Sequence, residues 1–319
     1  MRSSRIALKL TYRCLGRCRY CADRKKLWEA RGGRDMPNAL WETCVRLLSH
    51  RERHPFQEIH LTGGEISLHP NLLVIAQQLQ STGLPLSAST AGWAAKCGGW
   101  GELLRRVKFH KLYISLDHAE KKANDLIRGP GSWDRAFRAI KEARAIREQM
   151  GKPEIIVASV IHRHNIRHLE VLVDLLRDWG VDRWLPAYLE GVRSFPQLAP
   201  TSEDLTWLRN RRAEHPTLNS TLGEAFHPAI APPHLITQGE WPNDQPVPSC
   251  NTIGRLAIVH PNGAIYACYG SEYRELGRIG DDDDLETLNF QQLLQVAAAN
   301  PPAACRYCPE PIQNSQPLR

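Results

Sequence analysis

Three cysteines crowd a short stretch near the start of this 319-residue chain, Thr11-Tyr-Arg-Cys14-Leu-Gly-Arg-Cys18-Arg-Tyr20-Cys21. No other feature narrows the possible folds as far. Gaps of three residues and then two let one loop wrap a face of a cubane iron–sulfur cluster, leaving a fourth iron without a protein ligand. A run built only for electron transfer supplies four thiolates, and a structural zinc site also closes at four ligands. Three thiols with a gap therefore point to chemistry at an open iron. The alternatives are three reduced thiols that bind nothing, or zinc completed by a distant His.

The flanking sequence alternates strand and helix patterns. Residues 5–10 read as a buried strand that delivers the cysteine loop at its C-terminal end. Further strands are predicted over 58–62, 86–90, 111–117, 154–161 and 183–188. Helical spacing of apolar residues fills 37–48, 70–81, 132–150 and the stretch from Asn165 to the Gly180 stop. Ala136, Phe137, Ile140 and Ala143 fall on one face of the third of these helices. Strands and helices in this alternation make an α/β fold with a parallel sheet and right-handed crossovers, best drawn as a partial (β/α)6 TIM-like barrel. In such barrels the active site lies at the C-terminal strand ends. Those ends carry the cysteine loop, Gly63-Gly64-Glu65, Thr90-Ala91-Gly92, Ser115-Leu116-Asp117 and Tyr188-Leu189-Glu190.

After Gly191 the rhythm changes. Thr201 and Asp204 suit a capping box, and the proline-rich stretch 228–248 reads as a linker. A β-hairpin is predicted next, with strands 256–259 and 264–267 around the turn His260-Pro261-Asn262-Gly263, because Asn-Gly is a strong hairpin signal. Cys250 precedes the hairpin, Cys268 ends it, and Cys305-Arg-Tyr-Cys308 comes later. The expected organisation is a barrel over 1–192, a helix and linker over 193–248, and a small β-hairpin plus helix domain over 249–319. The acidic run 281–284 reads as a solvated loop.

Composition excludes several classes. With 42% hydrophobic and 24% charged residues the chain has the balance of a globular protein, not a disordered one. No apolar run is long enough to span a membrane and no signal peptide is recognisable, so a cytoplasmic location is expected. Nine cysteines in a reducing compartment are ligands or free thiols rather than disulfides. The formal charge of +7 counts them as neutral; cluster ligation would lower it to roughly +4. Arg and Lys are scattered rather than gathered with aromatics, which argues against a nucleic-acid surface. An anionic substrate or an acidic electron-donor protein fits the balance.

Three motifs in a fixed order carry a family resemblance. They are Cys14-x3-Cys18-x2-Cys21 after the first strand, Gly63-Gly64-Glu65 after the second, and Cys250-x17-Cys268 around a hairpin followed by Cys305 and Cys308. Over nearly its full length the chain resembles a radical S-adenosylmethionine (radical SAM) enzyme with a C-terminal twitch- or SPASM-type auxiliary iron–sulfur domain. The resemblance implies that Cys14, Cys18 and Cys21 hold a [4Fe–4S] cluster whose open iron chelates S-adenosylmethionine. One electron then cleaves the sulfonium to methionine and a 5′-deoxyadenosyl radical, with the electron coming from a flavodoxin- or ferredoxin-type donor. It further implies that the Gly63-Gly64-Glu65 backbone lies beside the methionine amino group and Tyr20 near the adenine. Ser115 and Asp117 match positions that contact the ribose or the methionine part, although strand-end Ser and Asp also cap helices. Thr90 is the matching position on the third strand, where Thr90-Ala91-Gly92 departs from the commoner Thr-Asn-Gly. Cys250, Cys268, Cys305 and Cys308 would hold a second, closed [4Fe–4S] cluster that accepts or relays an electron; a zinc staple is the alternative.

The reaction this implies is hydrogen-atom abstraction from an unactivated C–H bond of a sugar- or aminocyclitol-like small molecule or of a peptide. Oxidation, as dehydrogenation or crosslinking, would follow with help from the second cluster. One auxiliary cluster rather than two, and only 13 residues before Cys14, tilt the expectation away from a ribosomal-peptide substrate. The other readings are a redox-neutral epimerase with Cys97 as hydrogen donor, a ribosomal-peptide (RiPP) maturase, and a non-catalytic electron-transfer or RNA-associated iron–sulfur protein. His118, Tyr188, Glu190 and Arg193 stand at or just beyond strand ends and are candidates to orient or deprotonate a substrate. Cys44, among Leu40, Trp41, Val45 and Leu48, reads as a core thiol.

Overall fold

Six parallel strands cross the sheet in the order in which they occur in the chain: β1 (Arg5–Thr11), β2 (Glu58–Gly63), β3 (Leu86–Thr90), β4 (Lys111–Ser115), β5 (Glu154–Ile161) and β6 (Arg183–Tyr188). Neighbours in sequence that are also neighbours in the sheet, joined by right-handed crossovers, leave their helices on one face. A parallel sheet covered on one face curls around the other, which is the partial barrel expected. A computed structural model of the chain describes residues 4–21, 35–93, 96, 98–189, 195–215, 218, 254–268, 275–280 and 289–299.

The helices are α1 (Asn38–Ser49), α2 (Leu72–Ser81), α3 (Trp100–Arg106), α4 (Lys121–Arg128), α5 (Ser132–Met150), α6 (Leu169–Asp178) and α7 (Ser202–Glu214). Alternate strand residues Ile6, Leu8, Leu10, Ile59, Leu61, Leu112 and Ile114 share one core with Leu47, Ile75, Leu79, Ile140 and Leu172 of the helices. Residues of the other parity turn to the opposite face, where Ser89, Tyr113, Ser115, Ala158 and Val160 are only half-buried. A parallel sheet covered on both faces reads as a continuous apolar run; here one face is apolar and the other largely polar.

Three details depart from the sequence reading. Helices α3 and α4 fall in segments where no helix was expected; α3 buries Trp100, Leu103 and Leu104. Phe137, expected on the inner face of α5, is 38% exposed and stacks on Trp133 instead. Tyr188 is buried in the core on the helix side of β6, because its parity matches Trp184.

The expected hairpin is present as β7 (Leu256–Val259) and β8 (Ala264–Tyr266), followed by the short β9 (Gly277–Arg278) and α8 (Phe290–Ala299). β7 pairs in parallel with β1, so the nine strands form one sheet ordered β6-β5-β4-β3-β2-β1-β7-β8-β9. Thr201 and Asp204 form the predicted capping box of α7. The linker 228–248 and the acidic run 281–284 lie outside the described residues.

Candidate active site at the strand ends

β1 ends at Thr11, and the chain bends at Tyr12 into the cysteine loop. Cys14, Cys18 and Cys21 are reduced thiols, in no disulfide, and partly exposed. The Gly16 N–H points at Cys14 Sγ, 3.3 Å away. A side chain at Gly16 would place its first carbon 3.2 Å from Cys14 Sγ and 3.9 Å from Cys18 Sγ, so the glycine keeps the space beside two thiols clear. Burial, with Glu65 nearby, pushes the Cys14 thiol up to about 11. An iron or zinc ion must therefore displace a proton to bind there.

Two elements clamp this loop. On one side the end of α4 receives it: the Arg17 and Arg19 amides donate to the Arg128 and Ile127 carbonyls at 3.3 and 2.9 Å. On the other side lies the end of β2. The Gly64 and Glu65 amides donate to the Thr11 and Arg13 carbonyls at 2.7 and 2.8 Å. A Cβ on Gly63 would come within 2.4 Å of Thr11 O, and one on Gly64 within 2.4 Å of Arg13 O. The paired glycines are thus required by backbone-to-backbone packing against the loop itself. Arg13 extends the clamp, meeting Asp35 at 2.7 Å and the Leu68 carbonyl at 2.5 Å.

The remaining candidates fall into two buried networks. Glu65 is 1% exposed and accepts from the Thr90 hydroxyl at 2.8 Å, the Ala91 N–H at 2.8 Å and the Ser67 N–H at 3.2 Å. It ties the end of β2 to the end of β3, and burial raises its carboxyl despite those donors. In the second network the Tyr20 hydroxyl bonds both Asp117 and Arg128, and Arg128 meets Asp117 at 3.2 Å. The Asp117 side chain is fully buried and also accepts the Val160 N–H at 3.0 Å. Burial works against the Arg128 charge, but Tyr20, Cys18 and Asp117 around it raise its pKa, so the guanidinium stays charged. Burial likewise raises the Tyr20 phenol, which stays protonated.

Ser115 ends β4 half-buried. His118 is buried, and its Nδ1 accepts the Glu120 N–H at 2.9 Å where the chain turns into α4. Sequence reasoning passed over Arg13, Arg128 and His162. His162 follows β5, is 1% exposed, and its ring centroid lies 6.3 Å from that of Tyr20. Its Nδ1 accepts the His164 N–H at 3.2 Å, whereas its Nε2 is buried with no hydrogen-bond partner among the described residues. Burial pushes this imidazole down to about 4, so it is neutral at ordinary pH. A buried polar atom left without a partner is uncommon in native proteins and marks a place for a ligand or water. Cys44 is the core thiol expected, pushed up to about 12 by burial. Cys268 is buried at the end of the hairpin. Cys97, Glu190, Arg193, Cys250, Cys305 and Cys308 lie outside the described residues.

Among the described residues no three His, Cys, Asp or Glu side chains gather around a single metal ion. The three thiols of the loop suit a cluster, in which each thiolate takes its own iron. The profile of the radical SAM superfamily matches residues 8–176, more than half of the chain. The chain belongs to the radical SAM superfamily. As a radical SAM protein it works with a [4Fe–4S] cluster and S-adenosylmethionine.

The chain is 24% identical to the mycofactocin maturase MftC of Mycobacterium tuberculosis over 82% of its own length and 63% of the relative's. It is 25% identical to the PqqA peptide cyclase of Xanthomonas campestris over 84% of its own length and 67% of the relative's. It thus spans less than two thirds of the mycofactocin maturase. In fold it resembles Streptococcus suis SuiB bound to S-adenosylmethionine, with a TM-score of 0.66 and 16% identity, covering 98% of this chain and 71% of SuiB. The expected fold, family and first cofactor stand. Among the described residues no helix is long and apolar enough to cross a membrane.

Proposed function

We propose that this radical SAM enzyme modifies a peptide. The carrying observation is that both curated relatives described above are a maturase and a peptide cyclase by name. SuiB, whose fold this chain shares, has also been crystallised with its precursor peptide SuiA. Neither relative is named for a sugar or aminocyclitol, so of the two substrate classes expected the peptide is the one supported.

Cys14, Cys18 and Cys21 would hold the first cluster, which with S-adenosylmethionine supplies a radical able to take a hydrogen atom from an unactivated C–H bond. The protein's part is to bind, orient and exclude water. The Gly16 N–H directed at Cys14 Sγ favours the thiolate. The charged Arg128 beside Cys18 balances the negative cluster. Gly63 and Gly64 bring backbone to the loop, while Glu65 and Thr90, bonded to each other, keep the two strand ends in register. Asp117 acts on the nucleoside side indirectly, by holding Tyr20, and the orphaned His162 Nε2 offers the cofactor or substrate a hydrogen bond.

Cys250, Cys268, Cys305 and Cys308 would hold the second cluster, making dehydrogenation or crosslinking the favoured outcome. The test is anaerobic reconstitution, reduction with dithionite, and incubation with precursor peptides encoded beside the gene. Formation of 5′-deoxyadenosine in step with loss of a hydrogen pair from the peptide is expected. Cleavage of S-adenosylmethionine that no peptide stimulates would sink the reading, and solvent deuterium at one carbon without mass loss would turn it into epimerisation.

A further inference from the structure

Burial alternates along the cysteine loop. Cys14, Gly16, Cys18 and Tyr20 are half-buried, whereas Leu15, Arg17 and Arg19 between them stand in solvent. Extended backbone turns successive side chains to opposite sides, so the thiols face in while one apolar and two basic side chains face out. The Arg17–Arg128 and Arg19–Ile127 backbone bonds lay this outer edge along the end of α4. At that seam Leu126, 61% exposed, and Leu15, 57% exposed, are the two most exposed large apolar side chains among the described residues. Leu15 and Arg17 also line an open cavity of about 260 Å³ with Gly129, Pro130 and Arg135. The flanking carboxylates are already engaged. Asp134 meets Lys121 at 2.6 Å, and Asp125 accepts the Gly131 and Trp133 amides at 2.7 and 2.9 Å. Among the described residues no carboxylate pairs with Arg17 or Arg19. A lone exposed leucine is ordinary. Two on one seam, beside a cavity and rimmed by arginines, have the make-up of an interface, with an apolar centre and an Arg-rich rim.

We propose that this seam is the docking surface for a small acidic one-electron carrier protein that reduces the first cluster. This rests on the reading of Cys14, Cys18 and Cys21 as ligands of that cluster. Electron transfer between proteins weakens steeply with distance, so a donor has to sit where least protein separates it from the acceptor. Leu15 and Arg17 are bonded directly to Cys14 and Cys18, and on its other side the loop is packed against the end of β2. The exposed arginines attract an acidic partner and orient it, and the two leucines give it apolar surface to cover. The step is the transfer of one electron: the carrier is oxidised by one, the cluster is reduced by one, and no bond or proton changes place. A peptide substrate has to reach the opposite side of the loop, where the thiols face. A second copy of the seam would set arginine against arginine.

Binding to the protein as purified tests this without relying on turnover, by calorimetric titration with an oxidised flavodoxin and, in parallel, with an oxidised ferredoxin. The wild type is expected to bind at least one of these carriers, more weakly as salt rises. Arg17→Glu and Leu126→Glu should each weaken that binding by roughly tenfold or more. Leu126 lies outside the cysteine loop, so its variant reads the surface with the loop intact. After reconstitution both variants should hold as much iron as the wild type and be reduced by dithionite at its rate, since a small ion needs no docking surface. They should accept electrons from the reduced carrier roughly tenfold more slowly when the carrier is limiting. Carrier binding and reduction untouched by both substitutions would overturn the proposal. So would equal slowing with dithionite in Leu126→Glu, which would show a damaged cluster site. Loss of precursor-peptide binding or of a dimer, in place of carrier binding, would give the seam to another occupant. The ligand reading fails separately: Cys14→Ala with undiminished iron would leave no cluster beneath the seam and remove the proposal with it.

Discussion

At Gly64 a single added carbon decides whether the cysteine loop can form. Its Cβ would sit 2.4 Å from the Arg13 carbonyl and 2.8 Å from that of Tyr12, both main-chain atoms that cannot swing aside. Gly64→Ala is expected to lower stability by about 1–3 kcal/mol or more, and to cut iron content after reconstitution further than that loss alone explains. Thermal melts and iron counting check it. His60 offers a second test. Its ring bonds Ser87 and Ser89 at 2.9 Å each, and burial, with Arg5 and Lys111 nearby, pushes it down to about 3. In the unfolded chain the same imidazole takes a proton near pH 6.5. The unfolded state therefore binds more protons below that pH, and stability that is complete above about 6.5 drains away as pH falls toward 3. Melting temperatures measured from pH 7 to 4 should fall, and His60→Gln should flatten the fall; an identical slope in the variant would refute the assignment. The cysteines and Gly63-Gly64-Glu65 were legible in sequence because their spacing is local. Tyr188 was misplaced for a plain reason. A position at the end of a strand or in a turn does not say which face the side chain takes; pairing with a distant strand decides that.

The Tyr20, Asp117 and Arg128 group joins three elements: the cysteine loop, the end of β4 and the end of α4. Removing one charge from a buried pair leaves the other uncompensated, at a cost of about 3–5 kcal/mol. Asp117→Asn should therefore lower the melting temperature more than Tyr20→Phe, which deletes the phenol's two hydrogen bonds but leaves the Asp117–Arg128 charges compensated. The double variant should be less destabilised than the sum of the two, since both act in one network. Additive losses would show that the phenol and the ion pair are independent. The strands and longer helices of this region were readable from their periodicity. Helix α4 was not. Its sequence, Lys-Lys-Ala-Asn-Asp-Leu-Ile-Arg, buries only Asn124, Ile127 and Arg128, so its anchoring is polar and long-range. Asn124 takes the Asp117 and His118 amides at 2.9 and 3.3 Å. A pattern of apolar spacing carries no trace of such bonds.

At the scale of the whole molecule the hairpin completes the barrel sheet, pairing β7 against β1 through Arg5–Leu256 to Leu8–Val259. A variant cut after residue 250 is expected to expose the edge of β1, an unpaired row of amides and carbonyls prone to self-association. Size-exclusion chromatography should show oligomers or aggregates, and a clean monomer of unchanged stability would count against the pairing. The sequence signalled a hairpin but not its docking, because an Asn-Gly turn defines a hairpin's own register and nothing about its neighbours. This docking also sets a timetable. During synthesis β1 can pair with β2 after some 50 residues, yet its other edge must wait some 250 residues for β7 to leave the ribosome. At typical elongation rates that wait lasts roughly 12–50 s. For that interval β1, with the cysteine loop at its end, stands one-sided in the cell: reachable by whatever delivers iron and sulfide, and equally by oxidants or by the exposed edge of another unfinished chain.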